Sequence, residues 1–446
     1  MRKLLIPGLL FSVPVYAADT PAIAGIQIEF ILFALTLLGV ALFHHRTFQV
    51  ALTGLISVVA YKLVFTGFHA GPGLHGLLGH LAHEWVTLAN LFCLLMGFGI
   101  LSRHFEKSHV PVILPKYLPD DWKGAFGVLV IVWVMSSFLD NIAAAMIGGA
   151  MAHQLFRTRV HIGYLAAIVA ASNAGGAFSV VGDTTTTMMW IAGVSPVDVF
   201  HAITASAVAL AIFGYIASRQ QHAYSPIIKN AHQHTQVEWH RIGIVITILV
   251  FAMVTNIVVN LKFAAISGSF PFIGVAVVTA ILVTSPVRRH DWEVIPENLK
   301  GTLFLLFLVT TASMMPVENL PHASWHTAMG LGFVSSMFDN IPLTALAIRQ
   351  DGYDWGILAF AVGFGGSMVW FGSSAGVALS NQFPEARSVG MWLRHGWHVA
   401  LAYVAAFLVM ILVHGWDPQP INKPATAAVI EQVETSPAAQ TQAAQH

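Results

Sequence analysis

Apolar residues fall in long blocks along this chain, and the polar positions between them are few and clustered. Runs from Ile26 to Phe43 and from Phe48 to Thr66 are parted only by His44, His45 and Arg46. At a helical rise of about 1.5 Å per residue, such runs are long enough to cross about 30 Å of hydrocarbon. A histidine-bearing stretch, Phe68 to Trp85, precedes a third span ending near Leu101, with Glu29 and Glu84 expected to face water at span ends. Later spans are predicted near Val199 to Ala217, Ile242 to Asn260, Pro271 to Thr284, Leu303 to Met315 and Val399 to Val413. The pattern predicts an all-α polytopic membrane protein.

Two apolar segments carry an aspartate-asparagine pair: SSFLDNIAAAM from Ser136 and SSMFDNIPLTA from Ser335. A carboxylate at membrane depth is costly and marks a functional site by default. Each segment is followed by a second shared pattern, NAGGAFSVVGDTTTT from Asn173 and GFGGSMVWFGSSAGV from Gly363. Paired glycines, a short apolar run, another glycine and then hydroxylated residues recur in the same order. Two polar motifs repeated in one order predict an internal duplication. Gly175, Gly176 and Gly182 in one copy, with Gly365, Gly366 and Gly372 in the other, predict broken helices. Unwound backbone at this depth is tolerated where it lines a cavity or is buried in protein.

Basic residues then orient the path. Arg103, Lys107, Lys116 and Lys123 precede the first DN segment, and Arg157 and Arg159 follow it. With both ends on one side, the segment enters and returns as a re-entrant helical hairpin with its DN pair at the tip. The second DN segment, between Glu318 and Asp354, enters from the opposite side. Opposed hairpins of similar sequence predict an inverted repeat, divided into residues 19–218 and 242–420 by a cytoplasmic linker at 219–241. Residues 1–18 read as a signal peptide, with Arg2 and Lys3 before an apolar stretch and a small-residue site at Ala17 and Ala18; the start at Asp19 is then outside. Residues 421–446 read as a disordered polar tail.

Composition agrees with the pattern: of 446 residues, 56% are hydrophobic and only 9% charged. Acidic and basic residues balance at 21 each, which gives no case for nucleic-acid binding. The lone Cys93 excludes an intramolecular disulfide.

Residue chemistry narrows the cargo. Asp140, Asp183 and Asp339 are hard oxygen ligands, and Asn141, Asn340, Thr184, Thr185, Ser373 and Ser374 add neutral oxygens. Sodium, held by the three aspartates, or a proton fits this set better than a soft metal. The aspartates also read as helix N-caps, a role compatible with ion binding. Ser373 stands where the other break has aspartate, so the site is expected to be asymmetric. Another class is a histidine-rich membrane metalloenzyme, prompted by 22 histidines and by His75, His80, His83 and Glu84. The group lacks an HExxH pattern, and surface or interfacial histidines are the expectation there.

SSFLDN, SNAGGAFSVVGDTTTTMMW, FDNIPL and GGSMVWFGSSAGV resemble the motifs of NhaD-type sodium/proton antiporters, within the ion transporter superfamily of dicarboxylate, citrate and arsenite carriers. The resemblance implies a carrier rather than an enzyme, without cofactors, placed in the bacterial inner membrane. It implies a homodimer in lipid, each protomer having a scaffold domain and a transport domain of two hairpins and two broken helices. By the same resemblance, elevator-like movement expels sodium or lithium in exchange for protons. Asp140, Asn141, Asp183, Thr184, Thr185, Asp339 and Asn340 become ion or proton residues, with Ser373 and Ser374 lining the second break. The family usually has hydroxylated residues after the first DN, where this chain has Ala143, Ala144 and Ala145, and proline where it has Val180. The alternative transport reading is a sodium- or proton-coupled carboxylate carrier for citrate or dicarboxylates. Those carriers commonly show Ser-Asn-Thr at the tips, and here an aspartate precedes asparagine at both.

Overall fold

The computed structural model describes residues 22–421 apart from 24, 44, 45, 69, 157, 158, 228–235, 264, 265 and 267. The stretch read as a signal peptide, 1–18, the tail beyond 421 and much of the linker therefore lie outside the described residues. His44 and His45, between the first two runs, and Arg157, used above for orientation, lie outside them too.

The described residues are all-α apart from a two-residue antiparallel pairing of Ala22–Ile23 with Ile26–Gln27 and a single bridge between Phe68 and Gly71. In order come α1 (Ile28–Leu42), α2 (Thr47–Tyr61), α3 (Gly73–Lys107), α4 (Val110–Ile113), α5 (Trp122–Ser136), α6 (Asn141–Leu155), α7 (Ile162–Ala177), α8 (Thr184–Ile191) and α9 (Pro196–Phe200). Then follow α10 (Ile203–Tyr224), α11 (Trp239–Lys262), α12 (Phe272–Thr284), α13 (Val294–Ser313), α14 (Trp325–Ser335), α15 (Asn340–Gln350), α16 (Trp355–Gly365), α17 (Ser374–Gln382) and α18 (Val389–His414). Among the described residues, six helical stretches are long and apolar enough to cross a membrane: α2 with its π-helical extension to Thr66, α3, α9 with α10, α11, α13 and α18.

Helices α7 and α16 form the centre. Every residue from Gly163 to Ala177 and from Trp355 to Gly365 is buried, which explains why these segments are apolar on all sides and show no amphipathic period. Around them pack α5, α6, α10 and α18 on one core, while α1, α2, α3 and α13 enclose a second apolar cluster that also takes Met188 of α8 and Ile341 of α15. Side-chain caps fix many starts. Asp121 caps α5, and Ser324 forms a reciprocal capping box with Thr327 at α14.

The histidine-bearing stretch is not a separate external element. It is the first part of α3, a single helix of 35 residues and thus about 52 Å long, well beyond the bilayer core. His80 is correspondingly buried rather than interfacial, with Nε2 2.9 Å from Ser313 Oγ. Glu29, expected to face water, is 2% exposed. The linker is shorter than expected, because α10 runs to Tyr224 and α11 starts at Trp239. Helix α18 begins ten residues before the expected Val399, taking Arg394 into its first turns. At the far end Ile421, assigned to the tail, is buried, and its amide donates to Asp351 Oδ1 at 3.2 Å.

Candidate functional site

Both DN segments fold as a helix, a short turn and a second helix. Asp140 closes the α5–α6 turn and caps α6, its Oδ2 accepting the Ile142 amide at 3.1 Å. Asp339 does the same between α14 and α15, accepting the Ile341 amide at 3.1 Å. An aspartate is suited to this place twice over, because it satisfies an orphan amide and its charge meets the positive end of the helix dipole.

Both broken helices are also present. Helix α7 stops at Ala177, residues 178–183 run irregularly, and α8 starts after Asp183. In the second half α16 passes through a short 3₁₀ turn at Gly366–Met368 before α17 starts after Ser373. Hydroxyls satisfy the carbonyls freed by the first break: Thr186 Oγ1 donates to Ser179 O at 2.6 Å and Thr187 Oγ1 to Val180 O at 3.0 Å. The glycines are there for close approach. A Cβ on Gly175 would strike the Trp133 carbonyl, one on Gly182 the Ser136 carbonyl, and one on Gly372 the Ser336 carbonyl. Gly176 lies against Gly182, and Gly366 against Gly372. Gly365 backs onto the Gly332 carbonyl. The breaks can therefore nest against the hairpin turns only without side chains.

Asp183 is the hub where these elements meet. Its Oδ1 accepts from Asn141 Nδ2 at 3.3 Å, and its Oδ2 accepts from Asn340 Nδ2 at 3.4 Å and Thr185 Oγ1 at 2.9 Å. The asparagines of the two DN pairs, far apart in sequence, thus hold the two oxygens of one carboxylate. Asp183, Asn141, Asn340 and Thr185 are all buried. Asp140 and Asp339 are close enough to repel Asp183 electrostatically, and among the described residues none of the three forms an ion pair with Lys, Arg or His.

Asn173 is a site residue that the sequence reading did not single out. Fully buried in α7, its Oδ1 accepts from Asn141 Nδ2 at 3.1 Å, and its Nδ2 donates to Ser367 Oγ at 2.9 Å and Ser373 Oγ at 3.0 Å. It stitches the first break to the second. An amide in the middle of an otherwise apolar, small-residue run was the available signal. Ser373 caps α17 by accepting the Gly376 amide at 3.3 Å, so it takes Asp183's structural place without its charge. Ser374 Oγ donates to Asp339 Oδ2 at 2.9 Å. Thr184 is buried beside the hub, but its hydroxyl enters none of these hydrogen bonds. Ala144 and Ala145, in place of hydroxylated residues, are fully buried in packing.

A cavity of about 240 Å³ reaches Asp339 and Ser374 from between Val40, Thr47 and Phe304. The histidine group does not assemble elsewhere: His75 and His83 are exposed, and among the described residues no three His, Cys, Asp or Glu are placed to hold a metal.

No protein-family model matches the chain. It is 28% identical over 287 residues to sodium/proton antiporter 1 of Arabidopsis thaliana, covering 56% of this chain and 48% of that protein. It is 25% identical over 297 residues to the Na(+)/H(+) antiporter NhaD of Halomonas elongata, covering 55% and 58% of the two chains. With the NhaD of Vibrio parahaemolyticus it shares 24% identity over 300 residues, 56% of this chain and 71% of that one. The chain spans about half the length of the plant relative it matches. Over about half of its own length, then, this chain is similar to the sodium/proton antiporters of plants and the NhaD antiporters of bacteria.

Proposed function

We propose that this protein exchanges sodium or lithium for protons across the bacterial inner membrane. One observation carries the reading: Asp140, Asp183 and Asp339 gather around a buried amide and hydroxyl hub and, among the described residues, no cationic side chain is paired to them. Mutual repulsion of carboxylates in a poorly screened interior is relieved by a small cation or by a proton. Exchange follows when either satisfies the same deficit and the two do not bind together. The names of the similar proteins support the same chemistry.

The two halves are read as inverted repeats, with α5–α6 and α14–α15 as re-entrant hairpins entering from opposite faces. Matched turns and matched breaks in one order support this reading. On the positive-inside rule the start of the mature chain is outside and the segments bearing Arg103, Lys107, Arg288 and Arg289 are cytoplasmic. The central group of α5–α8 and α14–α17 is the moving transport domain of an elevator, and the protein works as a homodimer in lipid.

A carboxylate substrate is the poorer fit, because the hub offers negative charge and, among the described residues, no paired Lys or Arg to meet an anion. The test is an ion panel of sodium, lithium, potassium and citrate applied to proteoliposomes holding an internal pH dye. Sodium or lithium should drive proton movement that potassium does not. Citrate-driven flux without a sodium response would overturn the proposal.

A further inference from the structure

Away from the carboxylates, a second buried polar chain ties together α3, α11 and the segment 285–293 between α12 and α13. Arg241 Nη1 lies 3.3 Å from His104 Nδ1, His104 Nε2 lies 2.7 Å from His290 Nδ1, and His290 Nε2 lies 2.7 Å from the Ile281 carbonyl oxygen. All three side chains are buried, with His104 only 1% exposed. The imidazole rings meet edge to face, centroids 4.9 Å apart.

Donor and acceptor roles follow without freedom. A guanidinium can only donate, so His104 Nδ1 must accept from Arg241. A neutral ring that accepts at Nδ1 carries its proton on Nε2, and that N–H donates to His290 Nδ1. His290 in turn carries its proton on Nε2 and donates to the Ile281 carbonyl, which can only accept. All four ring nitrogens are used, and the chain runs in one direction. An added proton has two places to go, and both are wrong. On His104 Nδ1 it would face the Arg241 guanidinium, and on His290 Nδ1 it would face the His104 N–H.

Neighbouring charges give little compensation. From α3, Lys107 pairs with Asp291 at 2.8 Å and Arg103 with Glu106 at 3.0 Å. Glu238, just before α11, is shared by Arg241 at 2.9 Å and Arg288 at 3.2 Å. His109 lies near Glu238, its Nδ1 3.3 Å from the Gln236 carbonyl oxygen. The carboxylates within reach are already engaged, and the charge that an imidazolium at His104 would meet first is the Arg241 guanidinium, 3.3 Å away.

We propose that His104 and His290 form a proton-responsive clamp, which joins α3, α11 and segment 285–293 while both rings are neutral and opens when either ring gains a proton. The clamp lies on α3 and in the segment that leads into α13, and both helices reach the carboxylate hub: α3 packs against α8, which begins after Asp183, and α13 packs against α15, which begins at Asn340. It is separate from the hub, shares no residue with it, and does not depend on which ion is exchanged.

Two measurements on the full-length protein in lipid test it. Solid-state ¹⁵N spectra with labelled histidine, assigned with His104→Gln and His290→Gln, should show both rings as neutral Nε2–H tautomers at about pH 8. An Nδ1–H tautomer or an imidazolium at either position would overturn the proposal. Amide hydrogen exchange, corrected for intrinsic rates, should lose about tenfold or more protection at residues 100–108, 239–245 and 285–293 between about pH 8 and pH 5. The His104→Gln/His290→Gln double variant should lack that pH-dependent loss. A smaller loss in the unaltered protein, or an equal loss in the double variant, would overturn it, and the tautomer spectra decide the matter should the double variant fail to fold.

Discussion

Asp140 and Asp339, 199 positions apart in sequence, share one backbone conformation: φ −53° and ψ 140° at the first, φ −54° and ψ 138° at the second. Each closes a helix–turn–helix, and each accepts the amide two residues ahead. The breaks match as well, with Asp183 at φ −138°, ψ 146° and Ser373 at φ −141°, ψ 152°. The likeness stops at the side chain of the last pair, where a carboxylate faces a hydroxyl. One backbone device, used twice, thus builds a site with three carboxylates rather than four.

That arrangement separates capping from charge. Asparagine caps a helix about as well as aspartate, so Asp140→Asn and Asp339→Asn keep the local fold while removing a charge. We predict that each variant reduces sodium-driven proton flux in everted vesicles to the level of vesicles lacking the protein, while the folded protein is retained. Full flux in both variants would remove these carboxylates from coupling.

Asn173 hydrogen-bonds both to Asn141 and to the serines of the second break. Asn173→Ala leaves the Asn141 amide and the hydroxyls of Ser367 and Ser373 short of a buried partner, which costs about 1–3 kcal/mol. Chemical unfolding in detergent should show that loss, and the apparent KM for sodium should rise because Asn141 also holds Asp183. An unchanged midpoint would mean that water replaces the amide without penalty.

The DN pairs and the glycine-rich breaks were legible in the sequence because a carboxylate or a cluster of glycines inside an apolar run has no ordinary membrane explanation. Asn173 stood in the same run and was absorbed into the break, since one amide among small residues carries no spacing pattern. Its partners, and the convergence of Asn141 and Asn340 on Asp183, are tertiary facts separated by up to 200 residues. The α3 helix was divided wrongly for a different reason. His75, His80 and His83 interrupt the hydrophobic run, and nothing local reveals that Ser313 of α13 satisfies His80.

Glycine at the breaks is a steric requirement. Gly182→Ala would drive a methyl into the Ser136 carbonyl, and backbone cannot move aside as a side chain can. Overpacking of this kind costs about 1–3 kcal/mol or more, and here it would also push the first break off its hairpin. Gly330 in α14 is the control, because a Cβ there meets nothing within 4 Å. Gly330→Ala should stabilise the protein slightly, by up to about 1 kcal/mol, through helix propensity. Thermal unfolding and sodium-driven flux of the two variants should diverge, and equal behaviour would exclude close packing as the reason for glycine.

The Lys107–Asp291 pair gives a pH dependence with a defined sign. The hydrogen bond from the Lys107 ammonium holds the Asp291 carboxyl below its usual range, helped by the charges of Arg241 and Arg103. A carboxylate lowered in the folded state adds stability above its unfolded pKa of about 3.9, and that contribution is lost as pH falls through the folded value. Both side chains are substantially exposed, so screening keeps the effect small. Asp291→Asn should lower stability by at most about 1 kcal/mol near neutral pH, and the two proteins should converge in acid below the normal aspartate range. Denaturation curves across that range decide it: a difference that persists or grows in acid would show that Asp291 acts through packing and not through its charge.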